Sequence, residues 1–265
     1  MSDQVVLVEK SNGVATVSLN RPDKRNAING EMIDALGTVF SDLAFDRETK
    51  AVVLTGTGPI FSSGIDVTWI GSLGAEGPEH IPGLVRVMAR RIQSVMNTVE
   101  NLEKPVIALL RGPVVGLGLE LSMACDFRVS PKSSRFGVPE ILLGMVPDCG
   151  GTTRLTRALG VARAKELIML GDMIPAEKAY NWGLVNEIYE DDQFDQGAKA
   201  FIEKVLDRPS PAIGLTKRLI DMGASTDRMT FMDIEATIQA LCMSDPKFPE
   251  TMMMGFPKVK AEVKK

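Results

Sequence analysis

Three acidic residues, Glu120, Glu140 and Asp148, each stand in apolar sequence and are the residues best suited to do chemistry. An ionised carboxylate is costly to bury without partners, so an acid in such a setting is a candidate for proton transfer. Glu120 falls in the first turn of a predicted helix that follows Gly116 and contains Gly118. The first N–H groups of a helix lack intrahelical acceptors and lie at the positive end of its dipole, so they can bind an oxyanion. The pattern therefore predicts a carboxylate beside a polarised carbonyl.

Each of the three acids also has a structural explanation. Glu120 could be an acid that the helix dipole stabilises, although no capping box accounts for it. Glu140 could form a buried salt bridge with Arg154 or Arg157. Asp148 could cap the following helix, and this explanation competes evenly with a chemical role.

A second backbone donor would complete a site for an oxyanion. Ser62, Ser63 and Gly64 form a small-residue turn directly after a predicted strand, and the N–H of Ile65 is the candidate donor. Two fixed donors aimed at one oxygen suit a reaction that passes through a thioester enolate. Losing one such donor typically costs ~2.7–4 kcal/mol of transition-state stabilisation.

The composition argues against several other functions. Lys and Arg number 30 against 34 Asp and Glu, and the net charge of −4 argues against nucleic-acid binding. The single histidine, His80, lies in the Gly- and Pro-rich residues 74–82, so a Ser-His-Asp hydrolase is disfavoured. Gly116-Leu117-Gly118 begins like a dinucleotide-binding fingerprint, but Leu121 stands where the third glycine is needed.

Cysteine usage and the apolar runs bear on location. The three cysteines form neither a disulfide framework nor a zinc-ligand pattern, which favours a reducing compartment. The first residues show no export signal, and no apolar run approaches the ~20 residues that cross a bilayer. We therefore expect a soluble cytoplasmic protein with no membrane partner and no metal.

Hydrophobic periodicity predicts the elements that must position the acids. Residues 5–9 and 14–19 alternate around Asn12-Gly13 and predict a hairpin. Helices are predicted over 28–43, 88–102 and 116–125, with strands at 51–55, 106–110, 127–130 and 135–138. Repeated strand-then-helix units predict an α/β fold with largely parallel strands.

The second half of the chain is predominantly helical. Helices are predicted over 152–159, 162–170 and 176–181, followed by a strand at 184–189 and helices to the C-terminus, with a break at Pro209-Ser210-Pro211. Met-rich faces near the C-terminus indicate core or subunit packing. We divide the chain into a core, residues 1–205, which carries the site, and a helical C-terminal region, residues 206–265, which serves subunit packing.

Several motifs together make the sequence resemble the crotonase superfamily, the enoyl-CoA hydratase/isomerase family, over nearly its whole length. The motifs are Leu19-Asn20-Arg21-Pro22 with Asn26-Ala27, Phe61-Ser62-Ser63-Gly64-Ile65-Asp66, Lys104-Pro105-Val106-Ile107-Ala108, Gly116-Leu117-Gly118-Leu119-Glu120-Leu121 with Cys125-Asp126, and Pro139-Glu140-Ile141-Leu142-Leu143-Gly144 with Gly150-Gly151-Thr152. The resemblance implies a spiral of ββα units with a helical C-terminal trimerisation region. It also implies a homotrimer or a dimer of trimers that binds acyl-CoA thioesters.

The same resemblance implies roles for individual residues. The oxyanion donors correspond to the N–H groups of Ile65 and Leu117, although the family usually has glycine at the second position. Enoyl-CoA hydratases, which are lyases, carry glutamates matching Glu120 and Glu140, with Glu120 orienting or deprotonating water and Glu140 delivering the α-proton. The substrate and its coenzyme A portion would lie along Arg25, Ala27, Ile28, Ser63, Gly64, Asp66, Val67, Gly116 and Pro139. Coenzyme A enters as part of the substrate, so no separate cofactor is expected.

Two other functions stay open. Dienoyl-CoA isomerases resemble the sequence in having acids at Glu120, Glu140 and Asp148, so a double-bond isomerase that uses Asp148 with Glu140 is the main alternative. A non-catalytic binding protein on the same fold is the second, because a fold does not determine a function. Asp66 and Asp126 also lie in family motifs, and we interpret both as mainly structural.

Overall fold

The structure is a computed structural model that describes residues 4–72, 77–223 and 225–263. The strands are β1 (Val6–Ser11), β2 (Val14–Leu19), β3 (Ala51–Gly56), β4 (Val106–Leu109), β5 (Pro113–Val115), β6 (Phe127–Pro131), β7 (Arg135–Gly137), β8 (Ile174–Pro175) and β9 (Glu187–Tyr189). The helices are α1 (Gly30–Phe45), α2 (Val67–Ser72), α3 (Ile81–Glu100), α4 (Leu117–Met123), α5 (Gly151–Leu170), α6 (Ala176–Trp182), α7 (Phe194–Leu206), α8 (Ser210–Gly223), α9 (Arg228–Met243) and α10 (Phe248–Val263). Short 3-10 helices cover Pro22–Lys24 and Pro139–Leu143.

The larger sheet has the strand order β1-β2-β3-β4-β6-β9. Its first pair is the predicted hairpin, in which Val8 faces Val17 across antiparallel strands. Asn12 and Gly13 form the turn with φ of 51° and 79°, because a tight hairpin turn needs positive φ at both central residues. All later pairs in this sheet are parallel, so the prediction of a largely parallel α/β fold is confirmed.

Helices cover both faces of the central strands. In β4, Val106 and Ala108 belong to the main core together with residues of α1 and α3, whereas Ile107 packs on the opposite face with α7. Strands that are buried on both faces carry continuous apolar sequence, which explains the uninterrupted run in β4.

A smaller sheet, β5-β7-β8, stands beside the larger one. The segment after β3 connects the two, because Ser62 forms a parallel bridge with Val114 of β5 and its carbonyl accepts the N–H of Val115 at 3.2 Å. The chain turns from β5 directly into α4. The start of α4 therefore lies next to the segment that follows β3.

The C-terminal region is helical, as predicted. A break between helices occurs close to the predicted one, since α7 ends at Leu206 and α8 begins at Ser210, but of the predicted residues 209–211 only Pro209 lies between the helices. Buried Lys217 of α8 pairs with Asp126 at 3.0 Å, and Asp126 also accepts the N–H of Val106, which supports its structural interpretation. None of the helices within the described ranges has the length and apolar character that a bilayer crossing requires.

Some details differ from the sequence prediction. The strand predicted at 184–189 is limited to Glu187–Tyr189, and the short helix α2 and the two 3-10 helices were not predicted. The two helices predicted over 152–170 form α5, which is interrupted at Gly160 by a backbone with φ 74° and ψ 163°. Residues 74–76 of the predicted loop around His80 lie outside the described residues.

Candidate active site

A cavity of about 610 Å³ opens between α2, α3, the start of α4 and the segment before α5. Five of the predicted site residues line it, namely Ile65, Leu117, Glu120, Glu140 and Asp148. The remaining wall is predominantly apolar and includes Ile70, Ile81, Val85, Met88 and Val146. The structure thus brings the three acids and both predicted backbone donors to one apolar pocket.

Glycine at position 64 lets the two predicted donor segments lie side by side. Gly64 has φ +94°, and a Cβ atom built on it would lie 2.8 Å from the Val115 oxygen and 3.6 Å from the Leu117 nitrogen. A side chain here would clash with β5 and strain the backbone. The close approach that places Ile65 next to the start of α4 therefore depends on glycine.

The two predicted donors have N–H groups that the surrounding backbone leaves available. The bridge between Ile28 and Ile65 uses the N–H groups of Ile28 and Asp66, so the N–H of Ile65 is directed away from that pairing. Leu117 is the first residue of α4, whose first intrahelical bond is donated by Glu120. Its N–H therefore has no intrahelical acceptor and can bind an oxygen in the cavity.

Glu120 is almost fully buried, with 2% of its surface exposed. Its Oε2 accepts the N–H of Cys149 at 3.0 Å and that of Gly151 at 2.6 Å, so the turn before α5, rather than the dipole of its own helix, binds the carboxylate. Burial raises the pKa of Glu120 to about 7, the charges of Glu140 and Asp148 add to the rise, and the two N–H groups oppose it. This carboxyl can accept and return a proton near neutral pH.

Glu140 lies against Gly116, the residue that precedes α4. Gly116 has φ +51°, and a Cβ atom built on it would lie 2.5 Å from Glu140 Oε1. Oε2 is buried and has no hydrogen-bond partner among the described residues. Burial raises the pKa of Glu140. The suggested salt bridge is wrong, because Arg154 pairs with Glu100 at 2.6 Å and no cation of the described residues pairs with Glu140.

Asp148 is exposed and lies at the rim of the cavity. Its possible role as a helix cap is wrong, because α5 begins after Gly150 and has no side-chain cap. The Asp148 backbone oxygen instead accepts a hydrogen bond from Gln93 Nε2 at 2.5 Å. Its Oδ1 lies 3.3 Å from the sulfur of Cys149. The Asp148 side chain therefore does not cap α5.

The segments predicted to bind the coenzyme A portion lie side by side. Ser63 N–H donates to Arg25 O at 2.9 Å, Ile28 N–H donates to Gly64 O at 2.8 Å, and Asp66 N–H donates to Ile28 O at 2.8 Å. The Ile28 side chain is fully buried, so only its backbone can meet a ligand. Arg25 is exposed and adopts a left-handed backbone.

Asp66 has a structural role beside this segment. Arg21 Nη1 binds Asp66 Oδ2 at 2.9 Å and the Ala27 oxygen at 2.6 Å, which joins the two predicted coenzyme A segments. The Arg21 guanidinium lowers the pKa of Asp66. Val67 is exposed at the start of α2, and Pro139 begins the 3-10 helix that carries Glu140.

The sequence analysis did not assign a supporting role to Asn26 or Gln93, and it assigned Arg154 to a different partner. Asn26 is buried, and its side-chain amide donates to the backbone oxygens of Thr57 and Ile60. Gln93 and Arg154 contact the turn that holds Glu120. The sequence gives only a weak signal for Gln93 and Arg154, because polar residues on helices are usually solvated.

Within the described ranges, no group of three His, Cys, Asp or Glu side chains is arranged to hold a metal ion.

Comparisons with known proteins identify the family of this chain. The model of the family described as Enoyl-CoA hydratase/isomerase matches residues 9–264. The chain is 34% identical over 258 residues to the short-chain-enoyl-CoA hydratase of Clostridium acetobutylicum, covering 97% of this chain and 96% of that protein. It is 32% identical to the crotonyl-CoA hydratase of Syntrophomonas wolfei, covering 98% of each.

The fold is likewise shared with solved structures. The crystal structure of the enoyl-CoA hydratase from Bacillus anthracis matches with a TM-score of 0.87 and 32% sequence identity, covering 96% of each chain. The mixed α/β architecture with its helical C-terminal region is therefore the crotonase fold. The chain belongs to the enoyl-CoA hydratase/isomerase family, the crotonase superfamily.

Proposed function

We propose that this chain is an enoyl-CoA hydratase that adds water, with syn stereochemistry, across the 2,3-double bond of a 2-enoyl-CoA thioester. The hydratase relatives, which match over nearly the whole chain, support this activity. One observation of the structure carries the proposal. Glu120 and Glu140 face the same apolar cavity as two backbone N–H groups with no secondary-structure partner.

The reaction follows from the placement of these groups. The N–H groups of Ile65 and Leu117 bind the thioester oxygen, which gains negative charge as water attacks C3. Glu120 takes a proton from the attacking water, so hydroxide adds to C3. Glu140 delivers its proton to C2, and the thioester carbonyl is restored. The two glutamates gain one proton from water, at Glu120, and give one proton to C2, from Glu140. The overall reaction therefore adds H₂O to the double bond.

These roles require Glu120 to be ionised and Glu140 to be protonated when the reaction begins. Two N–H groups stabilise the ionised form of Glu120, whereas Glu140 Oε2 has no donor to stabilise its charge. Two nearby carboxylates titrate as a coupled pair that retains one proton over a range of pH. The state with Glu120 ionised and Glu140 protonated is the one that can hydrate the double bond.

The coenzyme A portion lies along Arg25, Ala27, Ile28, residues 63–67, Gly116 and Pro139 in this proposal. Exposed Arg25 can meet phosphate groups through its guanidinium. The enzyme works in the cytoplasm in fatty acid metabolism, as a homotrimer or a dimer of trimers. Exposed methionines on α9 and α10, including Met229, Met232 and Met253, support subunit packing of the C-terminal region.

Double-bond isomerisation is the alternative, and the position of Asp148 favours it as a second candidate. Asp148 lines the cavity without capping α5, so it could exchange a proton with a bound acyl chain. An isomerase would move a proton between carbons without consuming water.

Loss of the conjugated-thioester absorbance of crotonyl-CoA distinguishes these functions. We expect the wild type to hydrate crotonyl-CoA, Glu120→Gln and Glu140→Gln to lose at least about 10²-fold in kcat, and Asp148→Asn to keep most activity. If the wild type leaves crotonyl-CoA unchanged but isomerises a 3-enoyl-CoA or a dienoyl-CoA through Asp148, the hydratase proposal is wrong.

A further inference from the structure

The second half of α3 contacts the segment that leads into α5. Gln93 donates from Nε2 to the Asp148 oxygen at 2.5 Å. Asn97 and Glu100 both accept hydrogen bonds from Arg154 Nη2, at 2.9 Å and 2.6 Å. Residues spaced by three or four positions share one face of a helix, so these three form a single polar stripe. The stripe therefore contacts the chain on both sides of the turn at residues 149–151, at Asp148 and at Arg154.

Arg154 packs directly against the turn within this segment. Only 9% of its surface is exposed, and its Nη1 lies 3.5 Å from the Cys149 oxygen. Gly150 has φ +99°, and a Cβ atom built on it would lie 2.1 Å from Arg154 Nη1. The guanidinium therefore occupies the space beside the turn that any other residue at position 150 would need. Glu100 compensates its charge, so the buried cation is paired.

The same turn binds Glu120 through its N–H groups. Cys149 and Gly151 donate to Glu120 Oε2 at 3.0 Å and 2.6 Å. Arg154 itself is not among the residues that line the cavity. A chain of direct contacts thus runs from α3 through the guanidinium and the turn to the carboxylate of Glu120.

We propose that Arg154 is a positioning residue, which holds the turn at residues 149–151 so that its N–H groups stay on the Glu120 carboxylate. The expected effect of Arg154 on turnover rests on the proposed hydratase function. Its expected effect on the titration of the Glu120 carboxylate does not. Without the guanidinium, the turn loses its link to Asn97 and Glu100 of α3, keeps the Gln93 hydrogen bond at Asp148, and can move away from Glu120. Glu120 then remains buried but loses hydrogen bonds that stabilise its charge.

Loss of these hydrogen bonds changes the pKa of Glu120 in one direction. The two N–H groups lower the pKa of Glu120, whereas burial and the charges of Glu140 and Asp148 raise it. Other ionisable groups near this turn are the buried Cys149 thiol, the Arg154–Glu100 pair and, next to Glu100, Asp221 of α8, whose pKa is raised by burial and by the charge of Glu100. Removing Arg154 therefore raises the pKa of Glu120 further above its ordinary value.

The test is an infrared difference titration of the Glu120 carboxyl, obtained by subtracting the spectra of the matching variant that also carries Glu120→Gln. It uses the intact enzyme without substrate, so it reads the carboxylate even if the wild type proves not to be a hydratase. We expect Arg154→Gln to move the titration to higher pH, Arg154→Lys to restore part of the shift, and Arg157→Gln to change nothing. Arg157 is the matched control, because it lies on the same helix and is exposed.

Kinetics with crotonyl-CoA supply the second readout. We expect Arg154→Gln to lower kcat by about 10–100-fold, with KM changed less than about twofold and the acid limb of the pH profile moved upward. Glu100→Gln keeps a hydrogen-bond acceptor for Arg154 but removes the negative charge. We expect it to change the Glu120 titration and kcat in the same direction by a smaller amount. It replaces Arg154→Gln in the test if that variant does not fold. An unchanged Glu120 titration in folded Arg154→Gln, or in Glu100→Gln if the former is unfolded, overturns the proposal.

Discussion

Replacing Glu120 with glutamine removes an ionisable group from a buried position, and we expect this change to stabilise the fold above neutral pH. The wild-type carboxyl is neutral at pH 5 and ionised at pH 8. Ionisation at a buried site beside two other acids costs folding free energy. Glutamine is neutral at both pH values and still offers an oxygen to the N–H groups of Cys149 and Gly151.

The magnitude follows from the size of the pKa shift. The pKa of Glu120 rises from 4.5 to about 7 on folding. Each unit of pKa corresponds to ~1.36 kcal/mol, so Glu120 lowers the stability of the wild type by about 3 kcal/mol once pH exceeds 7. Between these two pKa values the folded state binds more protons than the unfolded state. Stability from this group is therefore present below pH 4.5 and is lost as pH rises through 7.

Urea unfolding at pH 5 and pH 8, at one protein concentration, measures this difference. The free energy of unfolding of Glu120→Gln minus that of wild type is expected to be about 2.5 kcal/mol larger at pH 8 than at pH 5, because the carboxyl of the unfolded wild type is already mostly ionised at pH 5. Glu9→Gln is the control, because Glu9 is an exposed glutamate on β1. A Glu120→Gln difference that is the same at both pH values would refute the reasoning, because the wild-type carboxyl would then carry no cost of ionisation.

Further predictions concern the rate and the core. The value of kcat/KM for crotonyl-CoA is expected to rise with pH through about 7 as Glu120 ionises, and a pH profile that is flat from 6 to 8 would contradict its proposed role as a base. Gly64→Ala is expected to lower kcat by up to about 10²–10³-fold, with a smaller effect on KM, because its Cβ displaces Val115 and the neighbouring oxyanion donors. Steady-state kinetics check this, and an unchanged kcat would mean that the donors tolerate the displacement. Phe40→Ala is expected to lower the free energy of unfolding by about 3–5 kcal/mol in denaturant titrations, because Phe40 is fully buried, and a loss below about 1 kcal/mol would contradict its place in the core.

Local patterns in the sequence predict much of this fold. The alternation around Asn12-Gly13 predicts the first hairpin, and the apolar spacing predicts α1 and most of α3, because these elements bury one face against the core. The structure of residues 139–143 does not follow from such a pattern. These residues form a 3-10 helix with exposed apolar residues such as Leu142, and a pattern based on burial cannot predict such a turn.

In the candidate site, the sequence predicts the acidic residues but not the residues that contact them. The acids could be found because a carboxylate in apolar sequence needs an explanation. Their partners could not, because a sequence does not reveal which of several cations reaches a given acid. Arg154 was considered as a partner of Glu140 but binds Glu100. Gly151, in the turn that binds Glu120, lies 31 residues further along the chain, so only the tertiary structure shows that the two residues are in contact.

The bridge between Ser62 and Val114 has a consequence for the order in which the protein folds. The two proposed donors of the site come from segments that this junction between the sheets helps to bring together. Forming contacts between distant parts of a chain is slow, because the entropy of closing the intervening loop is lost before the contacts stabilise it. The hairpin at the N-terminus can form early, whereas the oxyanion site exists only after the sheets have joined. Recovery of activity during refolding therefore reports a late event, and a partly folded chain has no working fragment of the site.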